Sequence, residues 1–424
     1  MKNQIVNYDN LFDFPNNIQK IFEKLNSVGA KAIIVGGCVR DKLLGKNDIK
    51  DFDIEVYHIE SYKKLTTVLK EFGDVNFVGK SFGVLKLRTK EAEFDFSLPR
   101  KENKISKGHK GFKIKTDPSL TFKEASKRRD FTINAIGYDV IEKKLLDYYQ
   151  GLEHLDKKIL KHIDKNSFVD DPLRILRGVV FASRFKLNID KELEKLLIRM
   201  IKEKLLLELP KERVYEELKK LFLKSDKPSI AFKLLKKYKE EFFFKELFKL
   251  DKEHLKHILN SIDNLANSNI KDLSLYFAVM SFYISDYENF IKKFTEEKKL
   301  LKEVENLLKN YNYILELKSD FSDFDIKLLS TKTNISKTIL FLKALYPDKN
   351  EFLDKVYDKA KKLDVLTSPP KPLINGDDLI KAGLKPSKEF KKILQKLYIM
   401  QLKQTIKYDG DKTEIIKKAT KSLI

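Results

Sequence analysis

Two aspartates separated by a phenylalanine, Asp51-Phe52-Asp53, carry the densest chemical signal in this chain. They close the stretch IVGGCVRDKLLGKNDIKDFDIEV, residues 34–56, which also holds Gly36, Gly37 and Arg40. In a strand, residues i and i+2 point to the same face about 7 Å apart, so both carboxylates can converge on one cation while Phe52 turns into a core. A carboxylate pair completed by water and phosphate oxygens suits Mg²⁺, and Asp95 in EFDFSLPR is a candidate third carboxylate. Metals held in this way activate a hydroxyl and stabilise departing pyrophosphate. A plainer reading stays open here: a solvated edge strand also carries D-x-D.

Only 15 glycines occur in 424 residues, yet two stand together directly after an apolar run. A glycine turn leaves main-chain N–H groups open to phosphate, and the forked donors of Arg40 suit a triphosphate. An ordinary turn is the alternative. The stretch is not a Walker A loop, since GxxxxGK[ST] is absent. Cys38 is the single cysteine, which excludes disulfides within the chain and cysteine-based zinc sites. Of 85 basic residues only ten are Arg, all between Arg40 and Arg213. In a chain that uses Lys by default, Arg marks places where a planar fork is needed.

The elements that must position these groups follow from periodicity. Residues 16–28 read as an amphipathic helix with Ile18, Ile21, Phe22 and Leu25 on one face. KAIIV (31–35) reads as a buried strand, VRDKLLG as a short helix, and DFDIEVY (51–57) as an alternating strand. A helix is expected over 61–71, then strands at GVLKLRT and AEFDFSL. Residues 101–118 are basic, glycine-dotted and poorly periodic, and are expected to form a mobile loop. From about residue 150 the pattern is helical, interrupted by LTSPPKP at 366–372. The expected class is α+β: a mixed head (1–150), then an all-α neck (151–225), body (226–365) and tail (366–424).

The net charge of +22 points to a polyanion, nucleic acid first and a membrane surface second. Abundant Lys, Asn, Ile and Phe make codon bias a second source of that charge. No apolar run approaches a membrane span, and the N-terminus lacks a secretion pattern, so a cytoplasmic protein is expected.

GGCVRDKLLG followed by DFD resembles the signature of the polymerase-β-like nucleotidyltransferases. In particular it resembles the bacterial class that contains CCA-adding tRNA nucleotidyltransferases and poly(A) polymerases. KRRDFTINAIGYD (127–139), LLDYYQGLEHLDKKILKHI (145–163), DDPLRILRGVVFASRF (170–185) and ERVYEELKK (212–220) resemble that family's further motifs, in its order. INGDDLIKAGLKPSKEFKKIL resembles a C-terminal segment of tRNA-adding members. The resemblance implies that Asp51 and Asp53 hold Mg²⁺, while Gly36, Gly37 and Arg40 meet the nucleotide's phosphates. It further implies that Arg129 contacts phosphate, that Asp130 contacts the ribose hydroxyls with Asn134 one turn on, and that Arg213 braces the neck. The family usually carries another arginine three residues after Arg177; here that position is Val180.

Asp171, Arg174 and Arg177 recur at three-residue spacing, along one helix face. Cytosine and adenine each present an amine donor beside a ring-nitrogen acceptor. A carboxylate beside a guanidinium therefore accepts C and A and rejects G and U. Asp171-Pro172 also reads as a helix N-cap with proline at N1. In the helical half, Lys faces would neutralise tRNA phosphates or are simply solvated. Tyr311, Tyr313 and Phe341 read as packing, and His254 and His257 as structural. No His-Asp dipeptide occurs, so the phosphohydrolase module of some relatives is not expected.

Three functions are carried forward from the sequence. The first is CCA addition to tRNA from CTP and ATP, which the 101–118 loop and the lack of an extended basic tail favour. The second is poly(A) polymerisation or partial CCA addition. The third is a non-catalytic basic RNA-binding protein. No protein partner is implied.

Overall fold

The alternation in DFDIEVY sorts one strand onto two faces, and the head is built on that sorting. The structure is a computed structural model describing residues 4–8, 11–78, 83–90, 92–104, 112–405 and 412–421. Its head strands are β1 (Gln4–Asn7), β2 (Lys31–Val35), β3 (Asp51–Tyr57), β4 (Val75–Val78), β5 (Val84–Arg88) and β6 (Glu93–Ser97). They continue as β7 (Arg100–Lys104), β8 (Phe112–Thr116), β9 (Gly137–Asp139) and β10 (Lys144–Asp147). Eight of them form one mixed sheet in the order β1-β10-β9-β2-β3-β6-β5-β4. Only β3 and β6 run parallel; the other neighbours are antiparallel.

Phe52, Ile54 and Val56 of β3 enter the main core with Ile34, Phe94 and Phe96. Helix α1 (Asn16–Ser27) covers this side with Ile18, Ile21, Phe22 and Leu25, the face expected from the sequence. Phe52 and Phe94 stack at 5.3 Å, a pair that adds about 0.5–1.5 kcal/mol beyond the area it buries. The other face carries Asp51, Asp53, Glu55 and Tyr57. Tyr57 joins a smaller core with Ile33, Val35 and Phe122, the last from helix α4 (Phe122–Ser126). Burial thus falls along one strand face: Tyr57 and Glu55 are covered, while Asp53 and Asp51 are open.

The 101–118 expectation needs correction. Strands β7 and β8 pair antiparallel from Arg100↔Thr116 to Lys104↔Phe112. Period-two alternation in KIKT is enough to extend the backbone; the charges hid it. Residues 105–111 of the expected loop lie outside the described residues.

Two further helices of the head are α2 (Gly37–Leu43) and α3 (Tyr62–Leu69), the latter capped by Ser61, which accepts from Lys64 N. Past β10 come α5 (Gly151–Asp156), α6 (Lys165–Val169), α7 (Leu173–Phe185), α8 (Lys191–Lys202), α9 (Lys211–Lys224) and α10 (Ser229–Lys237). The LLDYYQG motif braces the head: Asp147 accepts from Gly151 N at 2.7 Å and Leu152 N at 2.8 Å. A Cβ on Gly151 would lie 2.4 Å from Thr132 O, so only glycine allows this approach.

The chain divides into two compact units, Met1–Lys245 and Glu246–Ile424. The second unit is helical throughout its described residues. One of its cores gathers Ile314, Ile326, Ile339, Leu342, Leu353 and Val356. Another gathers Ile374, Leu379, Ile393, Leu397 and Ile416. The INGDDL segment forms a capping box at Asn375, which accepts from Asp377 N and Asp378 N. Phe341 is buried, Tyr311 packs against it, and His257 bonds Tyr283 and the Leu345 carbonyl. These three pack as read from the sequence, whereas Tyr313 and His254, read the same way, are exposed. No helix of the described residues is long and apolar enough to cross a membrane.

Candidate active site

The open end of β3, the glycine turn and one face of α7 line a single cleft of about 660 Å³. It draws on seven of the ten arginines: Arg40, Arg100, Arg128, Arg129, Arg174, Arg177 and Arg184. Arg88 and Arg199, the two outside the recognised motifs, are instead exposed and pair with nearby Glu93 and Glu203. Arginine usage in a lysine-rich chain therefore marks this cleft.

Asp51 and Asp53 both line the cleft, and neither carboxylate has a hydrogen bond or ion pair among the described residues. The cleft walls withdraw water from Asp53 and raise its carboxyl; Arg129 opposes this shift, and the charges of Asp95 and Glu55 add to it. Gly36 ends β2 with φ +79° and ψ −137°, backbone that L side chains rarely adopt. A Cβ there would sit 3.5 Å from both Arg129 Nη1 and Asp53 Oδ2, so the turn brings guanidinium and carboxylate to one point.

Asp95 stands beside Asp53 in the β3–β6 register, but its carboxylate is held by Lys86 Nζ at 2.9 Å and does not line the cleft. Asp95 thus adds charge beside Asp53 while its own carboxylate is paired with Lys86. No cluster of three or more His, Cys, Asp or Glu able to hold a metal occurs among the described residues. A pair of uncommitted carboxylates still fits a cation that takes most of its ligands from water and phosphate.

Glu55 continues the period-two face one step further, and the sequence reading passed over it. Its Oε1 accepts from Arg128 Nη2 at 2.6 Å and Arg129 Nη2 at 3.0 Å, and its Oε2 from Tyr57 OH at 2.7 Å. Burial alone would raise this carboxyl; Arg129, Arg128 and the Tyr57 hydroxyl hold it below the usual range. Arg129 Nε is buried and has no hydrogen-bond partner among the described residues.

Three expected ligand contacts are already occupied from within. Asp130 Oδ2 accepts from Arg177 Nε and Nη2 at 2.7 and 2.5 Å, and its Oδ1 from Asn134 Nδ2 and Phe131 N at 2.9 and 2.8 Å. Its acceptor positions are thus engaged within the protein. Asn134, on a 3₁₀ turn rather than an α-helix, bonds Asp130 and also accepts from Arg40 Nη1. Arg40 is 5% exposed and donates through Nε and Nη2 to Asp41. Arg40, Asn134, Asp130 and Arg177 thus form one chain of contacts along the cleft wall. Burial pushes the Asp130 carboxyl up, but Arg177, Asn134 and Arg174 outweigh it and keep it below the ordinary range.

Asp171 precedes α7 and accepts from Arg213 Nη1 and Nη2 at 3.2 and 3.1 Å, the bracing expected of Arg213. It also accepts from Leu173 N at 3.2 Å, a contact of the capping kind. Arg174 donates to the carbonyls of Ser167 and Arg128 at 2.7 and 2.6 Å. Asp171, Arg174 and Arg177 all line the cleft. Val180 is 3% exposed and belongs to the core; the guanidinium facing the cleft is Arg184, one turn further along. Cys38 is buried, donates to Val35 O at 3.1 Å, and burial pushes its thiol up to about 11.

Comparison with known proteins fits this geometry. The family described as "Poly A polymerase head domain" matches residues 32–161, and "Probable RNA and SrmB- binding site of polymerase A" matches residues 186–250. The CCA-adding enzyme of Blochmanniella floridana is 33% identical over 311 residues, covering 68% of this chain and 72% of that one. The chain belongs to the CCA-adding enzyme family. The CCA-adding enzyme of Buchnera aphidicola is 36% identical over about half of each chain, 51%. Among solved structures, a CCA-adding enzyme with ATP aligns over 100% of both chains with a TM-score of 0.74 and 22% identity. The Thermotoga maritima CCA-adding enzyme with tRNA aligns over 100% of both with a TM-score of 0.68 and 22% identity. These likenesses show that the fold is that of CCA-adding enzymes.

Proposed function

We propose that this protein is a template-independent nucleotidyltransferase that builds or repairs the 3′-terminal CCA of tRNA from CTP and ATP, releasing pyrophosphate. The carrying observation is the pair of uncommitted carboxylates, Asp51 and Asp53, facing an arginine-lined cleft in a chain of this family. The RNA 3′-hydroxyl attacks the nucleotide's α-phosphorus and the bond to the β-phosphate breaks. Asp51 and Asp53 would hold Mg²⁺, which supplies Lewis-acid stabilisation of the phosphoryl oxygens. Glu55 keeps Arg128 and Arg129 in place on the cleft lining, where Arg129 meets the triphosphate. Arg177 and Asp130 anchor the neck against the RRDFTINA turn, so base pocket and phosphate site keep a fixed separation. The finer partition into head, neck, body and a tRNA-binding tail is part of this reading, as is action in the cytoplasm. A binding protein without catalysis would have no need of two unpaired carboxylates.

The test is incubation with Mg²⁺ and tRNA ending before CCA, offering each nucleotide alone and in pairs. The expected product is three nucleotides longer, formed only with CTP plus ATP. Long A-tails, or stalling after one or two additions with both nucleotides present, would replace this reading with poly(A) or partial addition.

Base choice is assigned to Asp171 and Arg174. Arg213 fixes the Asp171 carboxylate while leaving it on the cleft surface. Asp171→Ala is expected to weaken discrimination against UTP and GTP by roughly ten- to a hundredfold, the worth of one hydrogen bond to a charged group. If Asp171 only caps α7, the variant instead loses about 1 kcal/mol of stability with selectivity intact. Competition assays and a melting curve on the same variant separate the two.

A further inference from the structure

Phe181 and Phe185 stand one turn apart on α7 and carry four cations between them. The Arg40 guanidinium carbon lies 4.5 Å from the Phe185 centroid and 5.0 Å from that of Phe181. Arg184 lies 5.0 and 5.8 Å from the same two rings, Arg177 lies 5.3 Å from Phe181, and Lys46 lies 5.6 Å from Phe185. Stacking on a ring stabilises a cation without neutralising it. Most of this wall is neutralised separately: Arg40 and Lys46 by Asp41, Arg177 by Asp130, and the neighbouring Lys220 by Glu217.

Two cations are left over. Arg184, on α7, and Lys224, at the end of α9, have no ion pair among the described residues, and both line the cleft. Arg184 Nε is buried with no hydrogen-bond partner. Burial and the charge of Arg40 hold its guanidinium below the usual arginine range. Burial, then Arg184 and Lys220, do the same to the Lys224 ammonium. Like charges held together in a partly desolvated wall lower their mutual repulsion when an anion arrives.

We propose that Arg184 and Lys224 bind the phosphodiester backbone of the RNA strand being extended, at a place separate from the triphosphate. This rests on the nucleotidyl-transfer reading above, because that reaction brings two polyanions into one cleft together. Arg129 stands at the carboxylate end of the cleft, bonded to Glu55 and beside Asp53 at the glycine turn, whereas Arg184 stands against Phe181 and Phe185 on α7. One cationic group therefore adjoins the carboxylates where a triphosphate must lie, and the other lies on the phenylalanine wall without an ion pair among the described residues.

The experiment uses Arg184→Gln, Lys224→Gln and the double variant, which remove the charge and keep part of each aliphatic stem, with Arg199→Gln on exposed α8 as a charge-matched control. Binding of an acceptor-stem RNA hairpin ending before CCA is followed by fluorescence anisotropy across a salt series without nucleotide. CTP KM is measured separately. For the double variant the RNA Kd should rise roughly tenfold, and the log–log salt slope should flatten by about one unit or slightly more. CTP KM should stay within about twofold, and the control should resemble the parent. An unchanged RNA Kd and salt slope would overturn the proposal. So would a raised CTP KM with unchanged RNA binding, which would give the wall to the triphosphate. Because the binding readout needs no catalysis, a parent protein that never completes CCA fails the functional reading without deciding this one.

Discussion

Asp53→Ala is expected to lower nucleotide addition by a thousandfold or more while leaving tRNA affinity within about twofold. The carboxylate stands on the open end of β3, has no partner among the described residues, and lies beside the glycine turn that brings Arg129 to it. A metal acting on a phosphoryl group supplies several kcal/mol of transition-state stabilisation, and about 4 kcal/mol is already a thousandfold in rate. Nothing places Asp53 on a surface that RNA must touch. Single-turnover incorporation of labelled CTP, with anisotropy for tRNA binding, reads both quantities. Asp95→Asn is the internal contrast. Its carboxylate is tied to Lys86, so a loss below about tenfold is expected, whereas a third metal ligand would match the Asp53 loss. Near-normal turnover of Asp53→Ala would remove the metal-site assignment altogether.

The residues that were legible in the sequence are those whose signal is local. The strand at 51–57, the α1 face and the glycine turn each follow from a period or a residue type within a dozen positions, and each stands where expected. Glu55 was equally within reach: extending the i, i+2 rule one step from Asp53 lands on it. Its neighbours obscured it, since a carboxylate in an apolar run reads as a surface position unless two arginines some seventy residues away are known to arrive. Partner choice at that range is tertiary. Asp130 meets Arg177 across 47 positions and Asp171 meets Arg213 across 42. Motif spacing put all four near the site but could not say which are spent on one another and which remain free for ligand. Arg40 shows the same limit: its type suits a triphosphate, and only the structure shows that it also bonds Asp41 and Asn134. The β7–β8 hairpin was missed for a different reason, because lysine and glycine content outweighed a short alternation.

The Asp130 network gives the other large expected effect, and its sign can be worked out. Asp130→Ala leaves the Arg177 guanidinium without its bidentate partner, Asn134 without its acceptor, and Arg40 bonded to a loosened Asn134. Removing one member of a buried pair costs about 3–5 kcal/mol. Arg177 is 28% exposed at its side chain, so solvent recovers part of that and the lower bound applies, about 3 kcal/mol or roughly 6–12 °C in Tm. The carboxyl is held below its unfolded value. Its contribution is therefore complete above the unfolded carboxylate pKa, about 4, and drains away as pH falls through the lower folded value. Parent and variant should differ fully near pH 7 and converge in acid. A ribose-binding role makes a different forecast: melting unchanged, and discrimination between CTP and dCTP reduced. The filled acceptor positions of Asp130 favour the first outcome, with the CTP preference retained in whatever activity survives. Melting curves from pH 3 to 7, together with a CTP/dCTP ratio for the variant, decide it. An unshifted Tm at neutral pH would return Asp130 to the ribose and leave Arg177 anchored by Glu217 alone, whose carboxylate lies 3.7 Å away.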